Sequence, residues 1–246
     1  MQKEKLKLEG ICKSFHEKQV LDHLSVYVKE GEHVTLLGPS GCGKSTVMNI
    51  LTGILQADHG SVTVNGTMGY MQQKDLLLPW KTCLNNVILP LVLDGMPKKA
   101  AAQKVLPYFK TFHLEGFECH YPEEMSGGMR QRAALLRTFL SSGDILLLDE
   151  PFGAVDSITR ESLQEWLIGI SSELKLTILM ITHDIDEAIL LSDRIYVLSD
   201  KPTTVCDEIC LDTGTTQKTA RLTDPSFLQY RRRIIEDLKQ IRRKRA

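Results

Sequence analysis

The stretch Gly38-Pro39-Ser40-Gly41-Cys42-Gly43-Lys44-Ser45-Thr46 restricts this chain's fold more than any other. It fits the pattern G-x-x-x-x-G-K-[ST], with Gly38, Gly43, Lys44 and Ser45 on the specified positions. Glycines let a backbone wrap closely around phosphate oxygens and aim successive N–H groups at them, while a helix that follows presents its positive end. The flanks suit that reading. The apolar run His33 to Leu37 precedes the loop as a strand, and Val47, Ile50, Leu51 and Ile54 recur after it at helical spacing. Lys44 is expected to reach the β- and γ-phosphates of a nucleotide, and the Ser45 hydroxyl to ligate Mg²⁺. Cys42 lies inside the loop, where the neighbouring dipoles are expected to favour its thiolate.

A strand–loop–helix unit of this kind belongs in an α/β fold, and the rest of the chain agrees. Apolar runs of strand length recur at Ile145 to Leu148, Leu176 to Ile181 and Arg194 to Leu198, separated by longer helical patterns. That alternation predicts a mostly parallel sheet covered by helices. Val62 and Val64 alternate with polar residues before Asn65-Gly66, a hairpin signal, so the N-terminal part is expected to carry antiparallel sheet. From about Leu76 to Leu140 strand signals fade, and Lys98 to Leu106 and Gly127 to Leu140 read as helices of an inserted subdomain. Pro107 is expected to end or kink its helix.

Charge and composition narrow the partners. Lys plus Arg is 30 against Asp plus Glu 31, so no imbalance argues for nucleic acid. The six cysteines contain no C-x-x-C pair, which points away from a zinc ribbon. The N-terminus lacks the apolar region of a secretory signal, and the longest apolar run, Val87 to Leu93, falls far short of the ~20 residues a membrane span needs. Action at a membrane therefore requires a partner. The basic runs Arg231 to Arg233 and Arg242 to Arg245 read first as a solvated terminal helix, with anionic lipid headgroups as a second reading.

Two further elements complete a phosphate site. Ile145 to Leu148 ends in Asp149-Glu150-Pro151, and alternation along a strand sends the two acids in different directions, so that one serves Mg²⁺ while the other addresses water. A second strand ends in Thr182-His183-Asp184, which puts His183 at a carboxyl edge, where ligands bind in open α/β sheets. Asp184 and Glu187 have the spacing of a capping box for the next helix.

Together with Met125-Ser126-Gly127-Gly128-Met129-Arg130-Gln131-Arg132, these residues make the chain resemble the ATP-binding subunits of ABC transporters. Ser126 is placed to cap a helix whose start, with the small Gly127 and Gly128, admits a phosphate. The likeness runs in family order to about residue 200. It implies an α/β P-loop NTPase core with a mostly parallel sheet, an N-terminal antiparallel β portion and an inserted helical subdomain. On this reading one ATPase domain covers residues 5–230, with the helical subdomain at about 76–140, and a basic tail covers 231–246.

The resemblance also implies roles. Phe15 resembles the aromatic that stacks on adenine, core packing being its other reading. Gln73 resembles the glutamine that touches Mg²⁺ and the attacking water; Gln72 is adjacent, and the distance to Leu77-Leu78-Pro79-Trp80 favours Gln73. Glu150 resembles the general base, His183 the contact to the γ-phosphate, and Asp156 a loop at the dimer interface. Met125 and Val155 stand where the family usually has Leu, and both remain apolar.

The implied assembly is a head-to-tail sandwich of two ATPase subunits around ATP and Mg²⁺. It sits peripherally on the cytoplasmic face of the cell membrane against integral permease subunits, and is served indirectly by a solute-binding protein, with no nucleic acid. Leu78 and Trp80 are expected contacts to the membrane subunits, core packing being the other reading of Trp80. Within the family, the segments after Gln73 and around His183 are similar to importer ATPases for nitrate, sulfonate and taurine. The alternative is a non-transport ABC ATPase acting as a mechanical or regulatory module.

Overall fold

The computed structural model describes residues 3–141, 144–153, 155–211, 221 and 224–243. They form two compact units, one from the residues up to 66 and from 171 onward, the other from Thr67–Ile170. The chain enters the first unit as β1 (Glu4–Phe15), β2 (Lys18–Lys29) and β3 (His33–Leu37), turns into α1 (Lys44–Leu51) and adds β4 (His59–Val64). It then runs through β5 (Met68–Met71), α2 (Cys83–Val87), α3 (Leu89–Leu93), α4 (Lys98–Thr111), α5 (Gly127–Ser141), β6 (Ile145–Asp149) and α6 (Ser157–Glu173). It ends with β7 (Thr177–Thr182), α7 (Ile185–Leu191), β8 (Arg194–Leu198), β9 (Val205–Cys210) and α8 (Pro225–Arg243).

In the first unit β3 pairs in parallel with β7 on one side and β8 on the other, and β9 joins β8 antiparallel. Every residue of β3, β7 and β8 is buried. Strands covered on both faces read as continuous apolar runs, and for that reason they stand out in the sequence. The antiparallel portion is β1, flanked by β2 and β4. The expected hairpin at Asn65-Gly66 is overturned: β4 pairs with β1, whereas β5 pairs in parallel with β6. Asn65 instead closes against β1, its N–H donating to the Lys5 carbonyl at 2.8 Å and its Nδ2 to the Glu4 carbonyl at 2.9 Å.

A buried cation ties the antiparallel strands to the parallel ones. The Arg194 guanidinium, 2% exposed, donates to Glu32 Oε2 at 2.7 Å and to Glu208 Oε1 at 2.8 Å, and lies 3.7 Å from the Tyr27 ring centroid. Burial alone disfavours its charge, but the bonds to Glu208 and Glu32 outweigh it and hold its pKa above the ordinary value. The apolar face of α8 packs Phe227, Ile234 and Ile241 against Ile195 and Ile209. On its polar face Arg231 meets Asp186 at 2.7 Å and Arg233 meets Asp207 at 2.8 Å. Position 231 thus falls within α8, and Lys244, Arg245 and Ala246 lie outside the described residues.

In the second unit, β5 and β6 pair in register from Met68 opposite Ile145 to Met71 opposite Leu148. The helices pack around aromatic rings, with Phe112 edge-on to Trp166 at 5.2 Å and Tyr108 edge-on to Phe139 at 5.6 Å. Helix α4 does not end at Pro107 but runs on to Thr111. Val105 and Phe109 are buried on either side of the proline, so tertiary packing outweighs the one backbone bond it removes.

Removing one partner of a buried ion pair strands the other charge. Arg194→Met is expected to lower unfolding free energy by about 3–5 kcal/mol, measured by urea denaturation. A change within ~0.5 kcal/mol would show that Glu32 and Glu208 are satisfied without it.

Candidate functional site

In the first unit the loop grows directly out of the sheet. Leu37 lies opposite Thr182 of β7 and Val197 of β8, so Gly38 and His183 each follow immediately on paired residues and leave the sheet at one edge. Glycine is required where the loop turns. Gly43 has a φ of 124°, and a Cβ there would meet Val20 Cγ1 at 3.0 Å and Leu21 Cδ2 at 3.1 Å. It is also the N-cap of α1, and no side chain caps that helix, which leaves its first N–H groups for an anion. Lys44 is 6% exposed and folds back, its Nζ donating to the carbonyls of Gly38 at 2.7 Å and Pro39 at 2.9 Å. Ser40, Gly41 and Ser45 are exposed, while Pro39 and Thr46 are half-buried.

His183 is exposed at the end of β7. Asp184 caps α7 by accepting from the Glu187 N–H at 3.0 Å. The return arm of the expected box includes a relay: Asp184 N–H donates to the Thr182 hydroxyl, which donates to the Glu187 carboxylate. Phe15 ends β1 at 41% exposure, with Lys13 Nζ 5.7 Å from its ring centroid.

Cys42 departs from expectation. Its thiol is 1% exposed, and burial pushes its pKa up, outweighing the opposing pull of Lys44 and of the loop N–H groups. The dipoles are present, but desolvation is the larger effect. Its carbonyl accepts from the buried Thr203 hydroxyl.

In the second unit the two acids diverge. Asp149 accepts from the Tyr70 hydroxyl at 3.2 Å, and Glu150 accepts from Gln73 Nε2 at 3.2 Å. Because Met71 lies opposite Leu148, the Gln72-Gln73 and Asp149-Glu150 pairs leave β5 and β6 at one edge. Glu150 has a φ of 46°, a left-handed conformation that is costly for a non-glycine residue and is tolerated mainly at working sites. Burial, and then the Asp149 charge, push the Tyr70 hydroxyl above its usual pKa, keeping it a donor.

Ser126 caps α5, its Oγ accepting from Met129 N–H at 3.3 Å. A Cβ on Gly128 would come within 2.7 Å of Thr159 Cγ2, so this glycine is demanded by packing against α6, whereas Gly127 would meet nothing closer than Val155 at 3.5 Å. Asp156 caps α6 by accepting from Thr159 N–H at 3.0 Å. The segment after Gln73 is clamped: Arg137 donates to the carbonyls of Asp75 at 2.6 Å and Leu76 at 2.8 Å. Asn86, fully buried, accepts from Leu78 N–H at 2.7 Å. Held this way, Trp80 is 71% exposed rather than packed in the core, but the expected Leu78 is half-buried and the neighbouring Leu76, at 50%, is the exposed leucine.

Sequence reasoning missed Tyr70 and Thr203, which act through contacts distant in the chain, and Asn86, whose bonds to the nearby backbone of Leu78, Lys81 and Thr82 follow no familiar motif. It quoted Gln131 without a role; its Nε2 donates to the Pro151 carbonyl at 2.7 Å, fixing the turn after Glu150. Thiol labelling of the nucleotide-free protein at neutral pH should modify the exposed Cys119, Cys206 and Cys210 and spare Cys42, whose reactivity should rise only above the ordinary thiol range. Labelling of Cys42 as fast as Cys119 would contradict this.

A family model described as ABC transporter matches residues 21–153. The formylaminopyrimidine import ATP-binding protein ThiZ of Halalkalibacterium halodurans is 45% identical over 205 residues, covering 82% of each chain. The aliphatic sulfonates import ATP-binding protein SsuB of Bacillus cereus is 41% identical over 207 residues, covering 79% of this chain and 81% of its own. Among solved structures, the dimeric bacterial ABC transporter cassette MJ0796 superposes with a TM-score of 0.72 at 31% identity, covering 84% of this chain and 99% of that one. A post-hydrolysis state of the same cassette, bound to ADP and Pi, gives a TM-score of 0.71. The chain belongs to the ABC transporter family, as one of its ATP-binding, ATP-hydrolysing subunits.

Proposed function

We propose that this subunit powers the import of a small solute, working as a head-to-tail dimer on the cytoplasmic face of a membrane against permease subunits fed by a solute-binding protein. Its likeness to two import ATP-binding proteins supports the direction. Their named solutes, a pyrimidine and sulfonates, differ in chemistry, so solute choice is assigned to the partners. No helix among the described residues is long and apolar enough to cross a membrane, in keeping with a peripheral subunit. The exposed Leu76 and Trp80, on a segment clamped by Arg137 and Asn86, are the apolar surface offered to the permease.

The observation that carries the catalytic reading is the hydrogen bond between Gln73 and Glu150, with Glu150 in a left-handed conformation. The loop residues Gly38, Pro39, Ser40, Gly41, Cys42, Gly43 and Thr46 cradle the phosphates through backbone N–H groups, proline excepted, and Phe15 stacks on adenine. Lys44 leaves its carbonyl partners for the β- and γ-phosphates. Ser45, Gln73 and Asp149 are hard oxygen donors of the kind Mg²⁺ selects, and the ion would neutralise charge developing on the phosphate oxygens. Glu150 takes a proton from water as the water oxygen bonds to the γ-phosphorus and the bond to the ADP oxygen breaks. His183 steadies the γ-phosphate. Ser126, Gly127 and Gly128 of a second copy close the nucleotide from the other side.

Glu150→Gln keeps the acceptor for Gln73 but cannot take a proton. ATP turnover should fall by about a hundredfold or more, with ATP affinity within a few-fold of wild type and a dimer appearing on size exclusion with MgATP. Wild-type turnover in this variant would overturn the assignment of Glu150 as base.

A further inference from the structure

Strands β1 and β2 do not pair residue for residue. Ile11 lies opposite Leu24 and Lys13 opposite Leu21, so the single residue Cys12 faces two, Asp22 and His23. This is a β-bulge, a device that bends a strand and re-aims its side chains. Neighbouring side chains on a regular strand point to opposite faces. His23 escapes that rule through a φ of 46°, in the left-handed region. In consequence the Cys12 sulfur, an Asp22 carboxylate oxygen and a His23 ring nitrogen lie within 4.8 Å of one another.

The cluster is graded from floor to mouth. Cys12 is 7% exposed, Asp22 is half-buried, and His23 is open to solvent. His23 Nδ1 stands 2.6 Å from Asp22 Oδ1, and the His23 backbone N–H donates to the Cys12 sulfur at 3.3 Å. None of these side chains belongs to the nucleotide site.

We propose that this bulge is a binding site for a borderline-soft divalent cation of the zinc class, held by Cys12 Sγ, an Asp22 oxygen and a His23 nitrogen, with water in the fourth position. Thiolate, imidazole and carboxylate form the mixed donor set that such ions accept, whereas hard ions such as Mg²⁺ avoid sulfur. Tetrahedral coordination needs ligand atoms about 3.3–3.6 Å apart, so the cluster contracts slightly around the ion while the tight Asp22–His23 pair opens. Binding replaces the Cys12 thiol proton, which passes to solvent, by a sulfur–metal bond. The competing account is structural: Gln19 Nε2 donates to Asp22 Oδ1 at 3.1 Å, and the Asp–His pair merely stabilises the bulge.

The bulge also backs the phosphate loop. Asp22 N–H donates to the Thr203 carbonyl at 3.0 Å and Thr203 N–H to the Val20 carbonyl at 2.8 Å, while the Thr203 hydroxyl holds the Cys42 carbonyl. Val20 and Leu21 wall Gly43. A cation that stiffens the bulge therefore acts one residue away from the nucleotide's cradle.

The test uses the full chain without nucleotide, titrated with Co²⁺ and then Zn²⁺. A variant carrying Cys119→Ser, Cys206→Ser and Cys210→Ser should give a saturable thiolate-to-cobalt charge-transfer band that excess Zn²⁺ abolishes. Adding Cys12→Ser should remove the band. His23→Asn, which tolerates the left-handed backbone, should weaken Zn²⁺ binding by at least about tenfold. Zn²⁺ should also slow amide hydrogen exchange at Cys12, Lys13, His23 and Leu24. Absence of the band in the triple variant, or Zn²⁺ affinity unchanged by both Cys12→Ser and His23→Asn, would overturn the proposal. Neither result depends on ATP hydrolysis.

Discussion

The parallel ladder of β3 with β7 and β8 is the interaction on which the rest of the first unit depends. Its register sets Leu37 beside Thr182 and Val197, so that three segments distant in sequence reach the sheet edge together. One becomes the phosphate loop, one delivers His183, and one turns back through Thr203 to support the loop from behind. Slipping β7 by one residue would reverse the face of each of its side chains, and the burial of all six β7 residues resists that slip from both sides. The shorter β5–β6 ladder does the same for Gln73 and Glu150 in the second unit.

What the sequence disclosed follows from the same physics. Strands covered on both faces are mostly apolar over consecutive positions, with polar residues chiefly at their ends, so β3, β6, β7 and β8 were legible to within a residue at each end. The loop and the cap at Ser126 were legible because backbone conformation demands glycine or a short hydroxyl side chain at set spacings. Asn65-Gly66 misled because turn chemistry is local, whereas the identity of the strand partner is not. Pro107 does not end α4, the first of the two outcomes expected of it, for a related reason: a lost hydrogen bond is a local penalty, and the burial of Val105 and Phe109 is a tertiary gain that exceeds it. Cys42 shows the limit for electrostatics, since dipoles can be read from a motif and desolvation cannot.

Tyr70 and Asn86 mark what lay beyond reach. Tyr70 gains its role only when the distant Asp149 arrives, and Asn86 only when the chain just before it curls so that the backbone of Leu78, Lys81 and Thr82 surrounds its amide. Asn86 uses both ends of its amide and is fully buried, so its hydrogen bonds define a segment that would otherwise be a loose loop. The backbone beneath the exposed Trp80 is thereby ordered in advance of any contact the ring makes.

The folded-back position of Lys44 means that any anion reaching it exchanges partners rather than adding one. Its ammonium rests on the Gly38 and Pro39 carbonyls, so the loop holds its own cation against two of its backbone oxygens. An arriving phosphate must outbid two short charge-assisted bonds before it gains anything, so a single small anion, which offers little beyond that replacement, competes poorly. A triphosphate recovers the deficit over many contacts at once.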